Sequence, residues 1–556
     1  MTADIIITNA KVLTQDPRKR SAEAIAIAGK RIVKVGRSRD VLALKSRKTR
    51  VIDANGHTVL PGFIEAHAHL FAGAADLANL DMTGASGVAE LKQRFDAYAA
   101  TNPGDGIVVG NQVNYTVISE SEALTRQHLD QVSPQRPLIV FAPDHHTAWA
   151  NTTALEQGGI LRGAALPPGH EIVMAADGTA HGELREGLAI EPVVSLAHHL
   201  TRARLGLTTG GEPEPYPSPV DFETDLVTLR RGLAHLARHG ITSVHNMDGN
   251  MYTLELLAAL ERQGELTARV KVPFHFKPFM PLAALERASA MHDRYHGPML
   301  TSGFVKCFMD GVLDSGTAVM MDDYADRPGW RGDPLFSQEQ FNAIATEADR
   351  RGLQVAVHAI GDGAVNMVLN GYAAARKANG SRDSRHRIEH IEVVHPPDIK
   401  RFKALGVIAS MQPPHPPGAQ GLPMEPTVSK IGRAKWRYAY AWDTLHKAGA
   451  AVVFGTDWPV SDINQMRSIH AAVTREIWDK GLPDQRSTLD QALNRSTAMG
   501  AYTEFAESEK GMLRKGLLAD VVVLSEDIKG MDVSQLDAVK VEMTISDGRV
   551  VFARKA

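Results

Sequence analysis

Two histidines separated by one residue, His67 and His69, follow the apolar run at 59–66. Side chains at positions i and i+2 of a β-strand point to the same face, so both imidazoles can reach one ion at the end of this strand. A His-x-His pair also occurs often by chance. It becomes evidence for a metal centre only if further ligands follow other strands of the same sheet.

Further residues of a suitable type do lie at or near the ends of other apolar runs. They are Lys306, His358, His390 and Asp457. The carboxyl ends of parallel strands meet at one mouth of a β/α barrel, where catalytic groups are assembled. We therefore predict that these residues and the histidine pair form one metal centre. The alternative is a set of unrelated polar residues in the core.

Lys306 requires a separate argument, because an ammonium group cannot bind a metal. Burial lowers the pKa of a lysine, and the neutral amine can take up CO₂ to form a carbamate, an anionic bridging ligand. A carbamate, the Asp457 carboxylate and a bridging hydroxide would offset about three of the four charges of two Zn²⁺ ions, leaving charge that polarises a carbonyl. The alternative role of Lys306 is a salt bridge to Asp310.

The predicted secondary structure indicates how these residues meet. Eight strand-like runs alternate with helical patterns, which favours a parallel α/β fold, a distorted TIM (β/α)8 barrel. β-Branched runs at both chain ends predict one small β-sandwich. The long interval after the first strand, with a Pro/Gly-rich stretch at 210–219, indicates an inserted α/β subdomain over the barrel mouth. The predicted domains are 1–58 and 506–556 for the sandwich, 59–70 and 231–505 for the barrel, and 71–230 for the insert.

Composition restricts the functional classes to be considered. The 556 residues include 61 Lys+Arg and 64 Asp+Glu, a formal net charge of −3, which favours neither nucleic-acid nor membrane-surface binding. No apolar run approaches the ~18 residues of a membrane helix, and a signal-peptide pattern is missing, so we expect a cytoplasmic protein. One cysteine excludes an intramolecular disulfide, whereas 23 histidines suit an imidazole and carboxylate centre.

Five segments around these residues resemble the amidohydrolase superfamily. The closer resemblance is to its family 3 branch, which includes N-substituted formamide deformylases and YtcJ-like metal-dependent hydrolases. The matching segments are Leu60–His69, Val305–Gly311, Val357–Asp362, Arg387–His390 and Phe454–Pro459. The resemblance covers nearly the whole chain.

This resemblance implies a binuclear metal centre. His67 and His69 would bind the more buried ion, His358 and His390 would bind the second, and carboxylated Lys306 would bridge the two. The implied cofactor is Zn²⁺, two ions per chain, although Mn, Co or Ni could occupy such a site. A homodimer is implied by the family alone.

The resemblance also implies a reaction. A metal-bound hydroxide would attack the carbonyl of a small-molecule amide or formamide and cleave its C–N bond. Asp457 would contact a metal and act as general base, passing the proton to the departing nitrogen. His358 is the second residue that we predict to be catalytic.

Residues near the predicted mouth are candidates for substrate binding. The family has a histidine in this part of the insert that reaches the pocket, which favours His146 over the alternative of a surface turn. A segment at 182–186 resembles another family segment near the mouth, and Asp310 could orient the substrate. The candidates are His146, Trp149, Asn151, Glu183, Arg185, Asp310 and Trp458.

Three other functions remain open from the sequence. The same hydroxide would cleave esters and lactones, so the residues do not distinguish these from amides. A mononuclear deaminase of the superfamily would carry Glu three residues after His358, where this chain has Gly361. A catalytically inactive regulatory homologue would lack one or more ligands, and all six are present.

Overall fold

The two chain ends form two β-sheets with a shared core in the computed structural model, which describes residues 2–143, 145–167, 169–197 and 212–555. One sheet contains, in order, Arg31–Gly36, Ala24–Ala28, Ile5–Thr8 and Arg50–Asp53. The other contains Arg549–Ala553, Val541–Ser546, Val521–Leu524, Thr58–Pro61, Lys11–Leu13 and Ser21–Ala22. Residues of both sheets, such as Ile7 and Val521, are buried in the same core, so the two chain ends pack as one unit.

Eight parallel strand segments form the central part of the fold. In chain order they are Phe63–Ala68, Ile241–Asn246, Arg269–Lys271 with Phe274–His275, Phe304–Phe308, Gln354–Ala359, Arg387–His390, Ile408–Met411 and Ala451–Phe454. The third segment is interrupted at Pro273, which has no N–H for a sheet hydrogen bond. Backbone hydrogen bonds from Asp457 N to His67 O, 2.8 Å, and from His69 N to Trp458 O, 2.7 Å, join the ends of the eighth and first strands.

Helices occupy most connections between these strands, as the alternating sequence pattern predicts. They are Leu70–Asp76, Pro219–Arg238, Met251–Arg262, Leu285–Arg294, Gln338–Arg350, Asp362–Asn379, Ile399–Leu405, Thr427–Ile431, Trp442–Lys447, Gln465–Thr474, Leu489–Arg495 and Ala498–Thr503, with Ser38–Leu42 near the amino terminus. Short 3-10 helices lie at Leu282–Ala284, Pro396–Asp398, Ala419–Gly421, Trp436–Tyr438 and Val533–Ala538. Ser218 caps the helix Pro219–Arg238 by accepting a hydrogen bond from Asp221 N, and proline suits the first helical position because its N–H is not needed there.

The region between the first and second parallel strands contains its own sheet. In order, its strands are Glu171–Met174, Ala180–Arg185, Thr147–Ala150, Leu138–Phe141, Val108–Asn111 and Leu80–Asp81. The accompanying helices are Gly87–Thr101, Arg126–Val132, Thr152–Gln157 and Gly187–Val194. Of the Pro/Gly-rich stretch at 210–219, Gly210 and Gly211 lie outside the described residues. The predicted boundary at 230/231 falls inside the helix Pro219–Arg238.

The first apolar run was interpreted as one strand at 59–66, but it forms two. Thr58–Pro61 pairs with Val521–Leu524 in the terminal sheet, whereas Phe63–Ala68 pairs with Ile241–Asn246. Gly62 separates them, and a Cβ at this position would lie 2.2 Å from Thr242 Oγ1. No helix in the described part of the chain is both long and apolar enough to cross a membrane.

Candidate metal centre

A cavity of about 1330 Å³ lies where several parallel strands end. Its lining includes His69, His358, His390 and Asp457, each of which ends or follows such a strand. The inserted region also contributes to the wall, and its lining residues include Asn111, His146 and Glu186. The insert and the parallel strands therefore enclose one site.

His67 and His69 are held by carboxylates from different strands. The Nδ1 atom of His67 lies 2.7 Å from Glu389 Oε2, and that of His69 lies 2.6 Å from Asp248 Oδ2. The Nε2 atoms of both rings lie 3.2 Å from the same oxygen, Asp457 Oδ1. With Nδ1 donating to a carboxylate, Nε2 is the nitrogen that would bind a metal. Asp248 and Asp457 outweigh burial and raise the pKa of His69 to about 9, so metal binding at its Nε2 would release a proton.

His358 and His390 are held in the same way, but by uncharged groups. His358 Nε2 lies 3.0 Å from the carbonyl oxygen of Gly311, and His390 Nδ1 lies 3.0 Å from Gln412 Oε1. Burial lowers the pKa of both imidazoles well below the usual value, so both are neutral. Their ring centroids are 4.5 Å apart, and His390 lies 4.8 Å from His67.

Lys306 is fully buried, and its Nζ has no hydrogen-bond partner among the described residues. The strand register places it beside Ala356 and His275, and its amine lies 4.4 Å from the ring centroid of Phe308. Burial lowers the pKa of this amine, although Glu389 and Asp457 oppose the shift. Within the described part of the chain Lys306 forms no salt bridge to Asp310, and the carbamate stays a prediction.

Asp457 lies between the two pairs of histidines. Burial would raise its pKa, but His67, His69 and His390 hold the pKa well below the usual value, so the carboxylate is ionised. Asp457 has a φ of 63° and His390 a φ of 75°. Such backbone costs roughly 1–3 kcal/mol per residue and persists where the surrounding structure enforces it, commonly at functional sites.

Distance alone defines two groups of possible ligands. One is His67, His69 and Asp457, and the other is His390, His415 and Asp457, with the ligand atoms of each within 4.8 Å of one another. The second group contains His415 in the position that the sequence assigned to His358. His358 still has its Nδ1 available, because its other nitrogen faces Gly311. The donor set of imidazoles, a carboxylate and an unpaired amine fits a divalent metal of the zinc type.

The buried Arg387 fixes Glu389, the carboxylate that contacts His67. Arg387 donates to Glu389 Oε2 at 2.9 Å, to Ala66 O at 2.6 Å and to Ser410 Oγ at 2.8 Å. Its remaining terminal nitrogen lies 3.0 Å from His245 Nδ1. Because Glu389 is fixed by Arg387, the His67 ring that donates to it has one orientation.

Two of the predicted substrate-binding residues line the cavity. His146 Nδ1 lies 2.9 Å from Glu186 Oε2, and its ring centroid is 6.4 Å from that of His358. Trp458 follows Asp457 and stacks on His235 with the ring centroids 5.5 Å apart. Both therefore line the cavity, as the sequence-based prediction requires, and their contact with a substrate stays a prediction.

The other five substrate-binding candidates do not line this cavity, and each has structural contacts. Trp149 packs edge-on against Tyr115 inside the insert. Asn151 caps the helix Thr152–Gln157 by accepting from Ala154 N. Glu183 forms an ion pair with Arg185 at 2.7 Å, and Arg185 also pairs with Glu171. Asp310 accepts hydrogen bonds from the backbone amides of Val319, Ile360 and Gly361.

Five residues at the site were missed by sequence reasoning. They are Asp248, Glu389, Glu392, Gln412 and His415. Asp248 and Gln412 follow strands that were correctly predicted, so the rule that selected His358 and His390 would also have found them. His415 lies three residues beyond Gln412 in a proline-rich loop, where no periodic pattern indicates which side chain faces the cavity.

A family model and several known proteins match most of this chain. The model described as the amidohydrolase family matches residues 50–552. The chain belongs to the amidohydrolase family. Protein LONG AFTER FAR-RED 3 of Arabidopsis thaliana is 29% identical over 539 residues, which cover 94% of this chain and 88% of that protein. N-substituted formamide deformylase of Arthrobacter pascens is 25% identical over 558 residues, which cover 99% and 98%.

A solved structure is similar over most of its length. An uncharacterized metal-dependent hydrolase from Pyrococcus furiosus superposes with a TM-score of 0.68 at 25% identity, covering 93% of this amidohydrolase and 97% of that chain. The family predicted from the five sequence segments is thus confirmed, together with an α/β fold. The roles of individual residues remain predictions.

Proposed function

We propose that this amidohydrolase hydrolyses the C–N bond of a small amide or formamide with the help of two zinc ions. The observation that carries the proposal is that His67, His69, His358 and His390 each have one ring nitrogen held by a neighbour and the other available. The unpaired amine of Lys306 lies nearby. Similarity to a formamide deformylase over almost the whole chain supports the reaction class.

The proposed architecture is a distorted TIM (β/α)8 barrel carrying a β-sandwich made by both chain ends. His67 and His69 would hold one ion, His358 and His390 the other, and Lys306 as a carbamate would lie between them. Bound at this site, the ions would supply Lewis acidity, which lowers the pKa of water and polarises a carbonyl. The neutral state of His358 and His390 is the one such binding requires.

Asp457 moves the proton in this mechanism. Its Oδ1 faces His67 and His69, whereas its Oδ2 lies 3.9 Å from both His390 Nδ1 and His415 Nε2. As an ionised carboxylate it accepts the proton of the attacking water and then donates it to the departing nitrogen. His67 and His69, whose Nε2 atoms lie 3.2 Å from Oδ1, hold the pKa of Asp457 well below its usual value, so the carboxylate readily gives up a proton that it has accepted.

The mechanism is tested by separating metal binding from turnover. Purified protein is assayed against formamides, N-acyl amino acids, cyclic amides and lactones, with and without added zinc. We expect zinc-dependent cleavage of an amide, and we expect Asp457→Asn to keep its zinc, measured by ICP-MS, while losing at least about a hundredfold in kcat. An Asp457→Asn variant as active as the wild type would remove Asp457 from this role, and zinc-dependent cleavage of lactones alone would favour an esterase.

Two alternatives are less well supported. A deaminase would need a carboxylate at position 361, but a Cβ there would lie 2.0 Å from the carbonyl oxygen of Val319. A regulatory protein without catalysis is suggested by one relative, the exoenzymes regulatory protein AepA of Pectobacterium carotovorum, which is 25% identical over 459 residues. That alternative predicts well under one zinc per chain, which the same ICP-MS measurement decides.

A further inference from the structure

The inserted region gives the cavity an acidic wall. This insert wall, the part of the lining that comes from residues 71–197, has no lysine or arginine among its described residues and contains four carboxylates, those of Asp76, Asp81, Glu186 and Glu191. The rest of the described lining adds Lys277 and Arg467, and Arg467 is paired with Asp462 at 2.7 Å. A cleft lined by one sign of charge attracts ligands of the opposite sign.

A second and independent feature of the insert wall is an amide oxygen without a partner. Asn111 is 7% exposed and lines the cavity, and its Oδ1 atom is buried with no hydrogen-bond partner among the described residues. A buried acceptor that lacks a donor costs free energy. We therefore expect the ligand in this part of the cavity to bring a hydrogen-bond donor.

Asp81 lies beside Asn111. The two residues are partners in the register of neighbouring parallel strands, so their side chains project from the same face of the inserted sheet. Asp81 Oδ1 accepts from Thr83 N at 2.8 Å. Arg94 donates to the backbone oxygen of Asp81 at 3.3 Å, and no described lysine or arginine pairs with the carboxylate. A carboxylate next to an unpaired amide oxygen suits a group that combines positive charge with N–H donors.

These two side chains are held close to the metal centre. Gln112 follows Asn111 and donates from Nε2 to the backbone oxygen of Pro459 at 2.9 Å. Pro459 lies two residues after Asp457. Gln112 has a φ of 69°, a backbone conformation that persists where the surrounding structure enforces it. One small molecule can therefore contact the metal centre and the insert wall together.

We propose that Asp81 and Asn111 bind a cationic group of the substrate, an ammonium or a guanidinium, at the end away from the C–N bond that is cleaved. The statement about the substrate rests on the proposed function, whereas the binding of a cation does not. A guanidinium stays charged at neutral pH and offers five N–H donors, enough for a carboxylate and an amide oxygen together. Anionic amides such as N-acyl amino acids are disfavoured by the same wall.

The binding part of the test needs no turnover. Benzylguanidinium is titrated calorimetrically into the zinc-loaded wild type, Asp81→Asn and Asp96→Asn. Asp96 is the matched control, because it is an insert carboxylate that pairs with Lys92 and does not line the cavity. We expect Asp81→Asn to weaken binding by about three- to tenfold, since the charge of this exposed carboxylate is partly screened, and Asp96→Asn to stay within about twofold.

Two further measurements separate charge from shape. Asn111→Leu removes the acceptor at a similar volume and is expected to weaken benzylguanidinium by about threefold or more. Added NaCl should weaken binding to the wild type more than binding to Asp81→Asn, because salt screens the charge that the variant lacks. If Asn111→Leu does not fold, the salt dependence of the Asp81 pair carries the test.

The catalytic part uses three formanilides that carry a guanidinium, a urea or a carboxylate at the para position. The guanidinium and the urea have nearly the same shape and differ in charge. We expect kcat/KM of the wild type to fall in the order guanidinium, urea, carboxylate, and Asp81→Lys to shift the preference from the guanidinium toward the carboxylate.

The outcomes separate this proposal from the proposed function. Equal affinity of benzylguanidinium for the wild type and Asp81→Asn overturns the cation site. A guanidinium-to-urea ratio of kcat/KM that is the same in the wild type and Asp81→Asn also overturns it, while cleavage of both compounds leaves the proposed function intact. Binding of benzylguanidinium that depends on Asp81, without cleavage of any amide, supports the cation site and overturns the proposed function.

Discussion

Glu389→Gln tests whether the carboxylate behind His67 sets the affinity for zinc. In the wild type, Glu389 is fully buried, accepts from His67 Nδ1 at 2.7 Å and is bound by Arg387. Burial opposes its charge, but Arg387 and His67 hold its pKa well below the usual value, so the group is a carboxylate. Glutamine keeps the shape and removes the charge.

The expected size of the effect follows from these contacts. A hydrogen bond to a charged group contributes about 1.5–3 kcal/mol and one to a neutral group about 0.5–1.5, so the exchange costs roughly 1–1.5 kcal/mol. The glutamine NH₂ must also face either Arg387 or the His67 N–H, which are both donors, so one contact becomes repulsive. We expect zinc affinity to fall by about 10- to 100-fold, the range typical of such supporting carboxylates.

The measurement is zinc competition with a chromophoric chelator on protein whose thermal unfolding shows an intact fold. Glu504→Gln is the matched control, because Glu504 is a buried carboxylate of the same network that contacts His245 and Lys510 but no proposed ligand. Its zinc affinity should stay within about twofold of the wild type. Equal affinities for Glu389→Gln and Glu504→Gln would refute the reasoning.

Three further predictions concern metal loading, packing and pH. Lys306→Met should bind about one zinc fewer than the wild type, and bicarbonate should raise zinc loading only in the wild type, as ICP-MS would show. Gly361→Ala should lower the free energy of unfolding by roughly 1–3 kcal/mol in urea, because its Cβ would lie 2.0 Å from Val319 O. Gly106→Ala is the control and should leave the stability unchanged, because a Cβ there has nothing within 4 Å. Equal stabilities of the two variants would contradict the prediction. Burial lowers the pKa of His235 from 6.5 to about 4. Between these two pH values the unfolded chain binds a proton at His235 and the folded chain does not, so the free energy of unfolding decreases as the pH falls from about 6.5 to about 4. His235→Gln should lose less stability on acidification, and an unchanged pH dependence of the urea midpoint would argue against the assignment.

The positions of the proposed ligands could be chosen from the sequence because they follow a rule that needs only strand ends. His358, His390 and Asp457 each end or follow an apolar run, and the parallel order of the strands brings those ends together. Lys306 could be predicted because a lysine within an apolar strand has no solvent to face. Each of these predictions depends on a strand pattern that is recognised from a few neighbouring residues.

Which residues line the cavity could not be predicted equally well. Trp149, Asn151, Glu183 and Arg185 lie on or beside strands of the insert, but they take part in packing, helix capping and ion pairs away from the cavity. The sequence shows that these residues are near strand ends. It does not show which face of the inserted sheet is turned toward the parallel strands.

The amino-acid pattern alone was enough to identify the types of the proposed functional residues, the order of the strands and the family to which the chain belongs. These depend on alternation, on segment length and on motifs that are read within a few neighbouring positions. The folded structure was needed to show which nitrogen of each histidine is held by a neighbour, that the Lys306 amine has no hydrogen-bond partner among the described residues, and that Glu392 and Tyr440 orient His415. These contacts join residues that are far apart in the chain, and they form because a buried polar group must find a partner wherever the fold places one.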